Sequence, residues 1–452
     1  MKQIIKANEA TMGILGKANT SASNNRMMHY CASVEVEEGI LLFNLLTREL
    51  LLLTPEEYAN ALKLPYLREQ WFVVPQETDE KKLVEKVRWV QKCMERKPKR
   101  ITGYTILTTT DCNARCFYCY EKGIARIPMT EETAMKTVDF IKSNCGGKKV
   151  HLAWFGGEPL YNHGVINLIC ESLRKEGIEY FSTMTSNGYL FNDELVQKAA
   201  TLWKLMRVQI TLDGTESVYN RCKAFIYEKG NAYQIVMENI GRLLDAGVPV
   251  KIRMNMDFHN AEDLTELVEI LGDRFGGKPG LTVYSHLLFN LDESWDERYT
   301  MEQWNELYEI QWRLEDRIEQ LGMRAKEGLR RKLPSNFCMA DNSRTLLITP
   351  TGHLSKCEHF SDKELIGHID TPERDETIIA NFRKRCEDMP ECATCFYYPE
   401  CIRLEKCEDL SPCIPSERVS IRRRTQKAMV NEFCRWQNNE VVEENEEVNI
   451  QC

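Results

Sequence analysis

Three cysteines stand close together at Cys112, Cys116 and Cys119, spaced C-x3-C-x2-C within Thr108–Gly123, TTTDCNARCFYCYEKG. Three thiolates can fill three of the four cysteine positions of a [4Fe–4S] cube and leave one iron open to another ligand. Zinc is the other reading, and it calls for a fourth Cys or His close by. The next cysteine, Cys145, lies at the end of a predicted helix, well outside the loop. A second set runs C-x13-G-x4-C, then after a gap C-x2-C-x5-C-x5-C-x5-C: Cys338, Gly352, Cys357, Cys392, Cys395, Cys401, Cys407 and Cys413. A zinc ribbon is the plainer account of Cys392 and Cys395 alone. The other cysteines, among them Cys31, Cys145, Cys170, Cys386 and Cys452, fit no spacing and read as core or surface residues.

The 452 residues allow two to three domains, and the net charge of −9 argues against nucleic acid as the main partner. Arg422–Arg424 is a short basic run that reads as a solvated helix face. Met1–Gly16 lacks the apolar core and cleavage site of a signal peptide. The most apolar early stretch, Ile40–Leu53, is interrupted by Asn44, Arg48 and Glu49 and is too short to span a bilayer. A cytoplasmic protein without a membrane partner is expected, and in that compartment clustered cysteines point to metal or redox chemistry rather than disulfides.

The elements that must position these cysteines follow from periodicity. Tyr104–Thr109 is β-branched and apolar, a strand that opens into the first cysteine loop. Five further strands are predicted at Val150–Phe155, Tyr180–Thr185, Arg207–Leu212, Val250–Met256 and Leu281–Leu288. Helical stretches such as Thr130–Asn144, Asp193–Lys204, Tyr233–Ala246 and Ala261–Phe275 lie between them. Six strand–helix repeats imply a parallel sheet curled into a partial barrel, with chemistry at the C-terminal ends of the strands. Those ends read Gly156-Gly157-Glu158, Ser186-Asn187, Asp213-Gly214 and Arg253-Met254-Asn255. Ahead of the barrel, Met1–Asn25 reads as polar and irregular, Met27–Glu35 and Gly39–Phe43 as a hairpin, and Glu49–Thr54 as a third strand. Thr54-Pro55 caps a helix to about Leu64, and Thr78–Met94 is a second helix. Met301–Leu321 reads as a long amphipathic buttress, and Glu440–Asn449 as an acidic disordered tail.

The first cysteine motif, followed by Gly156-Gly157-Glu158, resembles the signature of the radical S-adenosylmethionine (SAM) family. The second set resembles the SPASM extension of radical SAM peptide-modifying enzymes. The resemblance covers about residues 101–413. It implies an α/β fold: an N-terminal α+β module over 1–100, a partial (β/α)6 barrel over 101–328, a SPASM domain over 329–418, and a helix with its tail over 419–452. It also implies SAM and three [4Fe–4S] clusters. The radical SAM cluster would sit on Cys112, Cys116 and Cys119. Cys392, Cys395, Cys401 and Cys413 would hold a distal auxiliary cluster; Cys338, Cys357 and Cys407 would hold a proximal one. The Cys401–Cys407 interval is two residues longer than the commonest form. SAM would be contacted by Gly156, Gly157, Glu158, Ser186 and Asn187, by the Tyr118 backbone, and by Asp213, Arg221 and Asn255. Glu358, beside Cys357, takes the place of an acidic base in sulfatase maturases of this family. The implied substrate is a ribosomally made precursor peptide, and the implied reductant a flavodoxin or ferredoxin. A thioether-forming maturase is the first expectation. Formylglycine formation on a protein is the second, and a non-catalytic iron–sulfur partner the third. The N-terminal module is either a cap or a grip for a leader peptide, held by strand addition.

Overall fold

The computed structural model describes residues 1–18, 20, 23–94, 100–226, 230–288, 299–334, 336, 338–386, 389–401, 403–407 and 413–438. The expected acidic tail, Glu440–Asn449, lies outside them.

The N-terminal unit contains β1 (Lys2–Ile5), β2 (Asn25–Met27), β3 (Cys31–Val36), β4 (Gly39–Asn44), β5 (Leu50–Leu53) and β6 (Val73–Pro75). Four of these form an antiparallel sheet in the order β1-β5-β4-β3. The β3–β4 turn needs Gly39: its φ is 146°, and a Cβ there would meet the Leu53 carbonyl oxygen at 2.2 Å. Two expectations are corrected here. Met1–Asn25 is not irregular: β1 pairs with β5, and Asn8 caps a helix over Glu9–Leu15 by accepting from the Thr11 N–H at 3.0 Å. Its apolar pairs, Ile4-Ile5 and Ile14-Leu15, are too short to show a period and become ordered only on a neighbouring surface. The strand expected over Met27–Glu35 is two strands, because β2 leaves to pair with β6. The Thr54 cap forms as a capping box with Glu57, but its helix stops at Ala59; a short turn follows, and Pro65 then starts another helix.

Strands β7 (Gly103–Thr109), β8 (Val150–Gly156), β9 (Tyr180–Ser186), β10 (Leu205–Thr211), β11 (Val250–Met256) and β12 (Leu281–Leu287) run parallel in chain order. Helices Glu131–Cys145, His163–Lys175, Asp193–Thr201, Ala232–Asp245 and Ala261–Phe275 connect them. Val208, Ile210, Ile252, Met254 and Val283 are fully buried in the core shared with these helices. Because side chains alternate along a strand, the opposite face carries Gln209 beside Lys251 and Arg253 beside Tyr284 in register. The inner face is therefore polar, a lumen rather than a second core.

The sheet continues past the boundary expected at residue 329. β13 (Thr345–Ile348) joins β7 in parallel, and β14 (His353–Ser355) and β15 (Gly367–His368) follow antiparallel, giving nine strands among the described residues. The buttress helix spans Met301–Gln320, with Trp304, Leu307 and Tyr308 buried. Helix Pro415–Gln437 ties the parts together. Met429 and Phe433 enter the N-terminal core, Gln426 Nε2 donates to the Ser33 carbonyl at 2.8 Å, and Ser420 Oγ accepts from Trp312 Nε1 at 3.0 Å. No described helix is long and apolar enough to cross a membrane.

Candidate active site

The first cysteine loop begins where β7 ends and is held by the neighbouring strand ends. Gly156 and Gly157 lie against its backbone. A Cβ at Gly156 would sit 2.1 Å from the Thr109 carbonyl oxygen, and one at Gly157 2.4 Å from that of Asp111. The Gly157 and Glu158 N–H groups donate to these same carbonyls at 3.0 Å each. Both glycines are thus required first by the close approach of two strand ends.

Glu158 is fully buried and joins β8 to β9. Its carboxylate accepts from the Leu160 N–H at 3.1 Å, the Ser186 hydroxyl at 2.8 Å and the Asn187 N–H at 2.7 Å. A carboxylate has about four acceptor sites, so one is left for a ligand donor. Burial pushes Glu158 up to about 7 against these hydrogen bonds, which favours a cationic partner at the remaining site. Asn187 turns toward the loop: its Nδ2 donates to Asn113 Oδ1 at 2.7 Å and lies 3.8 Å from Cys112 Sγ. Asn113 Nδ2 is buried with no partner among the described residues, an orphan donor inside the cysteine motif.

On the other side the loop is clamped by residues that the motif does not announce. Lys223 ends helix Glu216–Lys223 and is 2% exposed. Its ammonium lies 2.9 Å from the Asp213 carboxylate and donates to Tyr118 Oη at 2.7 Å and Thr211 Oγ1 at 2.9 Å. Burial would lower its pKa, but the Asp213 carboxylate prevails and holds it well above the usual lysine value. Tyr118 donates its hydroxyl to the same carboxylate, and the Lys223 carbonyl accepts from the Arg115 N–H at 2.9 Å. Asp213 further accepts from the Asn255 N–H at 3.3 Å, and Asn255 Oδ1 from Arg253 Nε at 2.8 Å. Tyr118, Asp213 and Asn255 therefore belong to one network. Arg221 stands apart, exposed in the last turn of the same helix as Lys223. Neither Lys223 nor Asn113 carries a sequence signal beyond lying near a motif.

The second cysteine set sorts itself by surroundings. Cys338, Cys357 and Cys407 border the barrel core, whereas Cys392 and Cys395 border the N-terminal core. Electrostatic reach agrees. After burial, Cys407 contributes to raising both Cys338 and Cys357, while Cys401 acts on Cys395 and Cys413. Cys386 turns its Sγ to the Leu404 carbonyl at 3.1 Å. The two sets meet across the barrel mouth, where the Tyr120 ring, next to Cys119, packs 4.1 Å from that of His359, two residues past Cys357.

The donor set fits iron–sulfur ligation. At Cys112, Cys338 and Cys357 the backbone N–H two residues on donates to the sulfur at 3.3–3.4 Å, and Cys119 and Cys395 take the same bond from Glu121 and Tyr397. Hydrogen bonds to cluster sulfurs are one means by which a protein tunes such clusters. Among the described residues no three His, Cys, Asp or Glu side chains converge on a single-ion site. Burial pushes the Cys112 thiol up to about 12 and the Cys338 thiol up to about 11, so ligation there releases protons. Inside the barrel, Glu358 lines a cavity with Thr105, Thr183, Arg207, Gln209 and Met339.

Residues 106–271 match the Radical SAM superfamily. The chain carries a radical SAM domain. GTP 3',8-cyclases are similar over that part: the protein of Peptoclostridium acidaminophilum is 30% identical over 161 residues, 34% of this chain and 46% of that one. The protein of Petrotoga mobilis is 33% identical over 186 residues, 39% and 54% of the respective chains. The chain thus spans about half the length of these curated relatives. Among solved structures, anSMEcpe with bound AdoMet and a Cp18Cys peptide aligns with a TM-score of 0.58 at 14% identity, over 75% of this chain and 99% of that one. Streptococcus suis SuiB bound to precursor peptide SuiA aligns at 0.51 and 12% identity, over 84% and 94%. At such identities the likeness is one of fold: a radical SAM barrel followed by a cysteine-rich SPASM-type region.

Proposed function

We propose that this radical SAM enzyme takes a hydrogen atom from a ribosomally synthesised precursor peptide and installs an intramolecular cross-link, a thioether in preference to a carbon–carbon bond. The observation that carries the reading is the meeting of the two cysteine sets at the barrel mouth through Tyr120 and His359. Cys112, Cys116 and Cys119 hold the radical SAM cluster. Glu158, Ser186 and Asn187 hold the methionyl end of SAM, Tyr118 offers its backbone to the adenine, and Asn255 serves the ribose; Arg221, exposed and apart from this network, is left out. Asp213 has a different part: its carboxylate is engaged by Lys223 and Tyr118 and positions the loop. Bound there and reduced by a donor such as flavodoxin or ferredoxin, SAM supplies a 5′-deoxyadenosyl radical.

Cys392, Cys395, Cys401 and Cys413 serve one auxiliary cluster, and Cys338, Cys357 and Cys407 the other, making three [4Fe–4S] clusters in all. Three thiolates on the nearer one leave a ligand place for a substrate cysteine, which lowers that thiol's pKa. Glu358, in the lumen beside Cys357, takes the proton lost on oxidation. The unit Met27–Met94 holds the leader of the precursor. Helix Pro415–Gln437 bonds to the β3 end of its sheet, and β1, which precedes that unit and pairs with β5, is the opposite edge, where we place an added strand.

Two other reactions have an observation behind them. Formylglycine formation has the fold likeness to anSMEcpe, and nucleotide cyclisation has the sequence likeness to GTP 3',8-cyclases. Anaerobic incubation of the reconstituted protein with SAM and neighbouring-gene peptides, read by mass, separates them. A peptide lighter by two hydrogens, with its sulfur retained, one thiol fewer to alkylate and no aldehyde to derivatise, supports the cross-link. Loss of sulfur from cysteine supports formylglycine, and consumption of GTP supports the cyclase. Absence of 5′-deoxyadenosine leaves a non-catalytic iron–sulfur partner.

A further inference from the structure

The inner face of the barrel is charged in one sense. Arg207 on β10 lines the lumen cavity, and Lys251 and Arg253 lie on the same face of the adjacent β11. Among the described residues the strands place no carboxylate on this face, and Glu358 is the one carboxylate that lines the cavity. The excess is felt by neighbours. His286 is pushed down to about 3, by burial first and Arg253 next; His151 is pushed down to about 4, by burial and then Arg207. Arg253 is engaged by Asn255. Arg207 has no ion-pair or hydrogen-bond partner for its guanidinium among the described residues, although it faces an enclosed space. A guanidinium kept there without a bonded partner, the Glu358 carboxylate sharing its cavity but not paired with it, is a poor stability device and a good receptor for a planar anion, which it can grip through two parallel hydrogen bonds.

The size of the cavity narrows the anion. The cavity has a volume of about 50 Å³. One water needs roughly 10–15 Å³ on that measure, so there is room for about four heavy atoms. That suits a carboxylate with one methylene and is too small for a triphosphate. A group beside Arg207 is also suited to a carboxylate: Gln209 accepts from Tyr284 Oη through its Oε1 at 2.9 Å, so its Nε2 can donate to a carboxylate oxygen, whereas the Thr183 hydroxyl is paired with His151 Nε2 at 2.9 Å.

We propose that the barrel lumen selects a peptide whose reacting segment carries an acidic side chain, Asp or Glu, and that Arg207 receives its carboxylate. The proposal rests on the peptide reading above and adds the charge of the residue that enters the site.

The test uses the full-length, anaerobically reconstituted protein with SAM bound and measures binding of amidated N-acetyl-Gly-Xaa-Gly probes, with Xaa as Asp, Glu, Asn or Gln, and of GTP. An acidic probe should bind about tenfold or more tightly than its amide counterpart, the usual scale for a charged hydrogen-bonded contact. Arg207→Gln should abolish that preference, Arg207→Lys should retain part of it, and SAM affinity should be unchanged in both. Equal binding of acidic and amide probes overturns the carboxylate inference and leaves the peptide reading standing. A loss of SAM affinity in Arg207→Gln overturns it too, since the anion would then be the carboxylate of SAM. Arg207-dependent binding of GTP with no binding of any peptide overturns the peptide reading itself.

Discussion

Replacing Lys223 by Met should loosen the first cysteine loop without touching a cysteine. The Lys223 and Asp213 side chains are 3% and 1% exposed and 2.9 Å apart. Removing one partner of a buried pair leaves the other charge uncompensated, at a cost of about 3–5 kcal/mol. The Tyr118 hydroxyl and the Asn255 N–H still donate to Asp213, so the lower end applies, about 3 kcal/mol, or roughly 150-fold in an opening equilibrium. A chain of this size does not unfold as one unit, so local opening is the quantity to read. Amide hydrogen exchange of residues 112–119 should be about 100-fold faster in Lys223→Met, with helix Ala261–Phe275 unchanged. Adding Asp213→Asn should restore much of the protection, because the stranded charge is gone. The pH dependence has a definite sign. The folded Lys223 pKa lies above its unfolded value of about 10.4. Its contribution is therefore complete below that value and is lost only as pH rises through the folded pKa. After correction for intrinsic exchange, the effect of the substitution should be flat from about pH 6 to about pH 9. Exchange within threefold of wild type, or a double variant as labile as the single, refutes the clamp.

Cys116→Ala should end SAM cleavage and lower iron from about twelve to about eight per chain; wild-type protein that reconstitutes with about four refutes the three-cluster assignment. Cys386→Ala should leave iron and the auxiliary-cluster spectrum unchanged, since its Sγ is turned to the Leu404 carbonyl; loss of a cluster closes the place reserved for a substrate thiolate. Glu358→Gln should keep 5′-deoxyadenosine formation and lose product by about 100-fold or more, the scale of general-base catalysis; product at the wild-type rate removes Glu358 from the mechanism. Deleting residues 1–6, which removes β1, should weaken precursor binding about tenfold and leave SAM cleavage intact if the leader adds beside it; unchanged affinity refutes strand addition at that edge.

What the sequence alone decided is local in its physics. Cysteine spacing in Cys112–Cys119 is set by one short loop, and six strand–helix repeats are written in side-chain periodicity, so both could be read from neighbouring residues. The Thr54 cap was legible for the same reason; the end of its helix was not, because the turn before Pro65 competes with continuation. Contacts between distant parts of the chain had no such imprint. β1 became a strand because β5 offers an edge, and β13 extended the barrel because β7 offers another. The division of the later cysteines between two cores follows from helix Pro415–Gln437 and the N-terminal unit folding back onto the barrel. Lys223 reads as an ordinary helix-terminal lysine until the tertiary fold lays the cysteine loop over it and shuts water away from its pairing with Asp213. The same holds for Arg207: alternation marks it as inward-facing, but only the curvature of the sheet turns that face into a lumen.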